Sequence, residues 1–597
     1  MTVPSHDQRN ALHTVTQDLL NLRSPEGRWT GQLSTSALST ATAVIALTTV
    51  NSTRHATLIQ RGLSWLSRNA NADGGWGDTT RSQSNQSTTA LAWAAFGIAQ
   101  ADDKFATCIT KAIQWLTRKA GSLQNLVPSI EQAYGKDRTF SVPITMTLAL
   151  SGRLGPQGWK HVHPLPFELG ALPPRLFGAL RLPVVSYALP ALIAIGQVIH
   201  HFAPTKNPIT RQLRNWTRTK TLQRLIKLQP PNGGFLEATP LTSFVTMSLA
   251  AMGLQNHPVL LKGTSFLVNS VRPDGSWPID TNLATWGTTL SIKALAHQSE
   301  ILSSIDTQPT LDWLLQQQYR QTHPYTQAAP GGWAWTDLPG GVPDADDTAG
   351  ALLALKILSR KHPNPRILEA ATHGITWLLN LQNRDGGIPT FCRGWGTLPF
   401  DQSTPELTAH ALRAWDAWFP DLPAHLQQRI RQSTTRAYRY LQKAQQPSGA
   451  WLPLWFGNET APEQHNPVYG TAQVLKALVP PLPNLPPPPA NLALPAVQFL
   501  LSTQHPNGGW GGNHNVPPTI EETALAAEAL SAIPSAVDAT SNGLRWLTNA
   551  IQNNQHHTPT PIGLYFARLW YSEQLYPLVF ATSALAHNPI AKPPDTP

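Results

Sequence analysis

The chain has 597 residues, too many for one ordinary core, which points to two large domains or a repeat architecture. Charged residues are only 13% and there are 21 tryptophans, a balance that excludes a disordered chain. The formal net charge is +10, but Lys and Arg are scattered; this argues against a nucleic-acid partner and fits mild attraction to anionic lipid.

The N-terminal stretch "MTVPSHDQRNALHTV" lacks the apolar core of a signal peptide. From residue 19 the chain repeats itself. "LLNLRSPEGRWTG" (19–31), "GLSWLSRNANADGGWGD" (62–78) and "LQRLIKLQPPNGGFLEA" (222–238) share a Leu or aromatic, often Gln or Asn, and then a Gly turn. Later copies include "GITWLLNLQNRDGGIPTF" (374–391), "AYRYLQKAQQPSGAWLPLW" (437–455) and "AVQFLLSTQHPNGGWGGN" (496–513). Each turn precedes a Thr- or Ser-led run of small apolar residues, such as "STTALAWAAF" (87–96) and "EETALAAEAL" (521–530). Gly supplies the turn, Ala and Leu favour helix, and a leading Thr or Asp can cap it. Each repeat therefore reads as helix, Gly turn, helix, with the small-residue helix inside and Trp packed over the turn near the Gln. Such hairpins stack openly or close into rings. Uniform Ala/Leu inner helices favour closed α/α barrels, and two groups of repeats divide near residue 300.

The two cysteines, Cys108 and Cys392, form no CxxC pair, so no disulfide framework is expected and a cytosolic setting fits. The stretch 165–199 is nearly uncharged and broken by prolines. It is too interrupted for a straight transmembrane helix, and reads equally as a segment dipping into one leaflet or as a buried packing segment. No run of 18 apolar residues occurs, so no transmembrane helix is expected. The proline-rich 478–495 reads as a surface loop between hairpins.

In "GGVPDADDTAGALLAL", opening at Gly340, three acids crowd into four positions: Asp344, Asp346 and Asp347. Aligned on Thr-Ala, the later inner helices place Asp346-Asp347, Glu406-Leu407, Tyr469-Gly470 and Glu521-Glu522 at one equivalent position, with His410 one turn inside its helix. Parallel inner helices gather these N-termini at one end of a barrel. Singly, Asp347, Glu521 and Glu522 read most simply as helix caps, and His410 and Tyr469 as core. Together they exceed what capping needs. Clustered carboxylates raise one another's pKa, so one can remain a proton donor near neutrality, directed by a neighbouring His. Aromatics near helix ends of the second group, among them Trp335, Phe391, Trp455, Tyr565, Phe566 and Trp570, suit an apolar site for cations.

"PDADDTA", the preceding "GGWAW" and the Gln/Gly/Trp turns together resemble the class II triterpene cyclases, specifically squalene–hopene cyclases. The resemblance spans nearly the whole chain. It implies an all-α fold of two α/α barrels in a dumbbell: 21–300 as a non-catalytic barrel containing the apolar 165–199, 301–597 as the catalytic barrel, and 1–20 packing on the latter. It implies Asp346 as proton donor, flanked by Asp344 and Asp347. "ELTAH" resembles the family's "DVTAH" and makes His410 the donor's partner, and "YGTA" places Tyr469 nearby. Trp286, Trp335, Phe391, Trp455 and Tyr565 or Phe566 become cation-stabilising aromatics. Gly287 replaces an acid usual after Trp286, and "PIGLYFARLWYSEQLYP" (561–577) replaces the family's "GFPGDFY" block.

The implied activity is protonation of a terminal alkene in a linear polyprene, most simply squalene, followed by carbocation cyclisation to a hopene-like triterpene without metal or cofactor. The implied setting is monotopic association with the cytoplasmic side of a membrane, and a homodimer is compatible with it. Three other classes compete. A protein-prenyltransferase β-like subunit would need zinc ligands that the acid region lacks. A barrel glycosidase would use two carboxylates such as Asp346 and Glu521. A degenerate, non-catalytic scaffold would fit the altered C-terminal block.

Overall fold

The computed structural model describes residues 5–135, 138–173, 176, 186–391, 399–564 and 569–587. Its unit is an outer helix, a glycine turn and an inner helix. Turn glycines take left-handed backbone, with φ of +92° at Gly74, +99° at Gly386 and +95° at Gly508. A Cβ on Gly386 would also lie 2.2 Å from the Arg436 carbonyl oxygen, so only glycine fits.

The Gln before the turn ties it to the next outer helix. Gln382 Nε2 donates to the carbonyls of Gly386 and Ser433, and Gln504 Nε2 to those of Gly508 and Ala539. The turn Trp is buried, and both its N–H groups need partners. Its indole donates to a leucine carbonyl of the preceding helix: Trp76 to Leu66 at 2.9 Å, Trp333 to Leu314 at 2.8 Å and Trp510 to Leu500 at 2.7 Å. Its amide donates to a threonine hydroxyl in the next inner helix: Trp76 to Thr89, Trp333 to Thr348 and Trp510 to Thr523. The recurrent Thr therefore serves the turn. The caps are other residues, among them Ser36, Asn85, Asp344, Asn466 and Thr519.

Small side chains let the inner helices pack side by side into closed rings. In the first ring Ala37–Asn51, Gln86–Ile98, Arg138–Leu150, Leu189–Phe202 and Thr239–Ala251 touch in that order, and the last returns to the first. In the second, Ala284–Leu295, Ala345–Ser359, Pro405–Trp418, Pro467–Leu475, Ile520–Leu530 and Leu575–Ala586 do the same. The N-terminal helix His6–Asn21 packs on Val537–Gln552 and Leu575–Ala586 as an outer helix of the second ring. Among the described residues, sheet is confined to two short antiparallel pairs. The fold is all-α, two α/α barrels.

The buried apolar side chains form two cores. One runs from Leu33 to Ile279 and takes in Tyr325, Val342 and Phe391. The other joins Ala11–Trp29 to residues from Ala284 to Ala584. The helix Ala284–Leu295, which precedes the division expected near residue 300, thus belongs to the second core. In the stretch 165–199, residues 174, 175 and 177–185 lie outside the described residues, and the helix Leu189–Phe202 is an inner wall of the first ring. Among the described residues no helix is long and apolar enough to cross a membrane.

Candidate active site

The acid triplet opens the inner helix Ala345–Ser359. Asp344 is its N-cap: Oδ1 accepts the Asp347 amide at 2.8 Å. The capping role read for Asp347 therefore falls to Asp344, whose extended backbone (φ −134°, ψ 170°) lets its side chain reach back over the first turn. Asp344 and Asp347 are buried, at 3% and 5% exposure. Burial pushes Asp344 up to about 8 and Asp347 well above the usual carboxylate range, and for Asp347 the charges of Asp344 and Asp346 add to the effect. Burial therefore biases both carboxyls toward their protonated forms.

Asp346 differs from its neighbours. Its side chain keeps 19% exposure, and its Oδ1 lies 2.5 Å from His410 Nδ1. His410 comes from the inner helix Pro405–Trp418, and its other nitrogen, Nε2, faces Lys293 Nζ at 3.3 Å. Burial, reinforced by Lys293, lowers His410 to about 4. Burial, reinforced by Arg413, lowers Lys293 to about 7. Tyr469 is buried and stacks on Phe456, with ring centroids 4.2 Å apart. Its hydroxyl is pushed well up by burial and next by the charge of Asp346.

The aromatic candidates divide. Trp335, Phe391 and Trp455 form one wall: Phe391 lies 6.1 Å from Trp335 and 6.2 Å from Trp455 between ring centroids. Phe400, 5.2 Å from both Phe391 and Trp455, joins them. Trp335 and Trp455 pack against both cores, which puts this wall between the two barrels. Their indoles are pinned, Trp335 Nε1 to Asp280 Oδ2 and Trp455 Nε1 to Thr390 Oγ1. Trp286 instead sits behind the acid. Its ring lies edge-on to His410 at 6.2 Å, and its indole donates to the Tyr576 hydroxyl at 3.1 Å. Tyr565 and Phe566 lie outside the described residues.

The remaining aligned acids are held by loops. Glu406 Oε1 accepts the Leu454 amide at 2.7 Å. Both oxygens of Glu521 are taken by Thr560, and Glu522 Oε1 by the amides of Asn458 and Asn466. One group with metal-ligand geometry occurs among the described residues, Asp18 with His556 and His557. It joins the N-terminal helix to the turn after Val537–Gln552, away from the acid triplet.

The family described as squalene-hopene cyclase C-terminal domain matches residues 2–140 and 282–588, more than half of the chain. The chain belongs to the squalene–hopene cyclase family. Among its relatives, the enfumafungin synthase of Hormonema carpetanum is 29% identical over 50% of this chain and 24% of its own length. The squalene–hopene cyclase of Alicyclobacillus acidocaldarius is 25% identical over 44% and 42%. Human lanosterol synthase is 28% identical over 38% and 33%. The matches thus span less than half the length of each of these relatives. In fold, the chain resembles the ent-copalyl diphosphate synthase of Streptomyces platensis, with a TM-score of 0.51, 16% identity and coverage of 98% and 99%.

The structure brings Asp346, His410 and Tyr469 together, and it adds residues that the sequence did not single out. Lys293 was hidden because "WGTTLSIKAL" carries no acid and its lysine reads as helix interior. Tyr571 and Tyr576 lie in the unfamiliar C-terminal block and hydrogen-bond to each other; Tyr571 feels the charge of Asp346. Phe400 and Phe456 carried no motif at all.

Proposed function

We propose that this family member is a class II cyclase. In this reading Asp346 protonates a terminal alkene of a linear polyprene, most simply squalene, and the resulting carbocation closes rings toward a hopene-like triterpene. The observation that carries the reading is the inequality within the triplet. Asp346 alone of the three is only partly buried, and it alone is held by the histidine. Asp344 and Asp347, neutral by burial, place no opposing charge beside it.

The chemistry follows from the geometry. A proton leaves the Asp346 carboxyl, a C–H bond forms at the alkene, and the O–H pair stays on the carboxylate. The N–H of His410 Nδ1 stabilises that new charge through a fixed, preorganised bond. The Trp335–Phe391–Phe400–Trp455 wall offers ring faces to the developing cation, each face worth ~2 kcal/mol when desolvated. Tyr469 lines the approach to the acid. The cascade ends by proton loss or water capture. No step draws on a metal or cofactor.

Membrane association belongs to the same reading, because a polyprene partitions into lipid. Helix Pro208–Leu228 exposes Ile209 (79%), Leu213 (44%) and Trp216 (73%), which share one face at i, i+4 and i+7. Lys220, one turn beyond Trp216, continues the same face. Replacing Trp216 with Ser is expected to weaken sedimentation with anionic vesicles severalfold.

Incubation of the purified chain with squalene in detergent and chelator, followed by lipid mass spectrometry, tests the main proposal. Cyclised product from the unaltered chain and none from Asp346→Asn is the expected result. Equal turnover by Asp346→Asn would sink the assignment of the acid. Product only from a shorter or modified polyprene would keep the mechanism and change the substrate.

A further inference from the structure

We propose that Lys293 is a positioning residue of this site: its ammonium fixes His410 as the neutral imidazole that donates through Nδ1, and supplies the positive charge that backs Asp346. This inference rests on Asp346 being the proton donor.

Hydrogen-bond valence carries the argument. An ammonium has donors only, so His410 Nε2, 3.3 Å from Lys293 Nζ, must accept. The single proton of a neutral imidazole then sits on Nδ1, the nitrogen 2.5 Å from Asp346 Oδ1. Without the lysine, the ring could equally take the other tautomer, whose bare Nδ1 would repel a carboxylate. The lysine is itself held. Its Nζ lies 5.3 Å from the centroid of the Trp286 ring, a cation–π contact. Around the second ring, the helix of Asp346 lies between those of Lys293 and His410, so the three side chains converge from consecutive elements.

The surroundings decide how long the charge lasts. From the acid helix Lys293 meets Asp346 and Asp347, and from the histidine helix His410 and Arg413. From the next two inner helices it meets Lys476 and Glu528, which pair with each other at 2.5 Å. Lys293 also borders a cavity of about 260 Å³ in the bore, which Lys356, Arg413, Lys476 and Glu528 help to line. Lys356 is paired with Asp421. Through this cavity Lys293 can exchange its proton with water. The cation is present at acid pH and is lost as pH rises through about 7, where burial and Arg413 place the lysine. His410 cannot take over at that pH, being held to about 4.

The test compares pH–rate profiles of the full chain on squalene, with nitrogen-15 NMR of labelled histidines assigned by difference from His410→Gln. In Lys293→Met, which has no cation to lose, the alkaline limb near pH 7 should disappear, turnover below pH 7 should fall ~10-fold or more, and the His410 titration should move up. Lys293→Arg keeps the donors and never loses its charge, and the cavity gives it room. Its alkaline limb should move above that of the unaltered chain. An unchanged profile and an unchanged His410 titration in Lys293→Met would overturn the proposal. If the unaltered chain turned over no polyprene, the cyclase reading would fail, while the NMR titration would still decide whether Lys293 sets the state of His410.

Discussion

The two barrels are built from one repeat and differ at one end. Threonines that take the turn amides fix the alignment, Thr89 in the first ring and Thr348 and Thr408 in the second. On that alignment the cap Asn85 stands where Asp344 does, Ser87 where Asp346 does and Leu91 where His410 does. The helices of the first ring start with neutral caps such as Ser36 and Asn85, while Asp78 and Glu237 are buried in the loops beside them. The second places carboxyls and a histidine at the same positions, and burial raises Asp344 and lowers His410 from their ordinary values. Ring closure therefore does not require the acids. In the proposed reading, the burial that they cost the second barrel is used by chemistry at this end.

Exchanging residues between the rings sharpens this contrast. The largest effect is expected from His410→Leu, which installs the first ring's Leu91. Turnover should fall ~100-fold as the bond to Asp346 is lost, while circular dichroism stays unchanged. Next is Asp344→Asn, which installs Asn85 and keeps the cap. Asp344 is raised to about 8 in the folded chain, against roughly 4 unfolded. The folded state thus binds the extra proton, and stability drains away as pH rises between those values. Asp344→Asn should flatten that loss, matching the parent near pH 4 and melting roughly a few degrees higher near pH 8. The smallest effect tests what the rings share. Trp76→Phe and Trp333→Phe each remove one indole-to-carbonyl bond, of 2.9 and 2.8 Å. Each should cost ~1 kcal/mol in urea unfolding, and a large inequality between them would break the claim of a common scaffold.

The repeats were legible because the turn needs particular chemistry. Only glycine fits at Gly386, and Gln382 must reach two carbonyls. The same register places Asp346, His410 and Tyr469 at one end of the second ring. It could not tell which aligned acids stay available, since Glu521 and Glu522 are captured by Thr560, Asn458 and Asn466 from loops whose paths no helical period encodes. The cap was shifted by three residues, because Asp344 and Asp347 are equally good cap residues and only the backbone at Asp344 separates them. Lys293 was invisible for a related reason: its partner is 117 residues away, across the ring.

The central claim is that Asp346 delivers a solvent-exchangeable proton to carbon. Turnover of squalene in heavy water, with the product's mass and deuterium position determined, tests it most directly. The account predicts a single carbon-bound deuterium, in the ring methylene formed where the CH carbon of the terminal alkene takes up the proton. A cyclised product with no carbon-bound deuterium would contradict it.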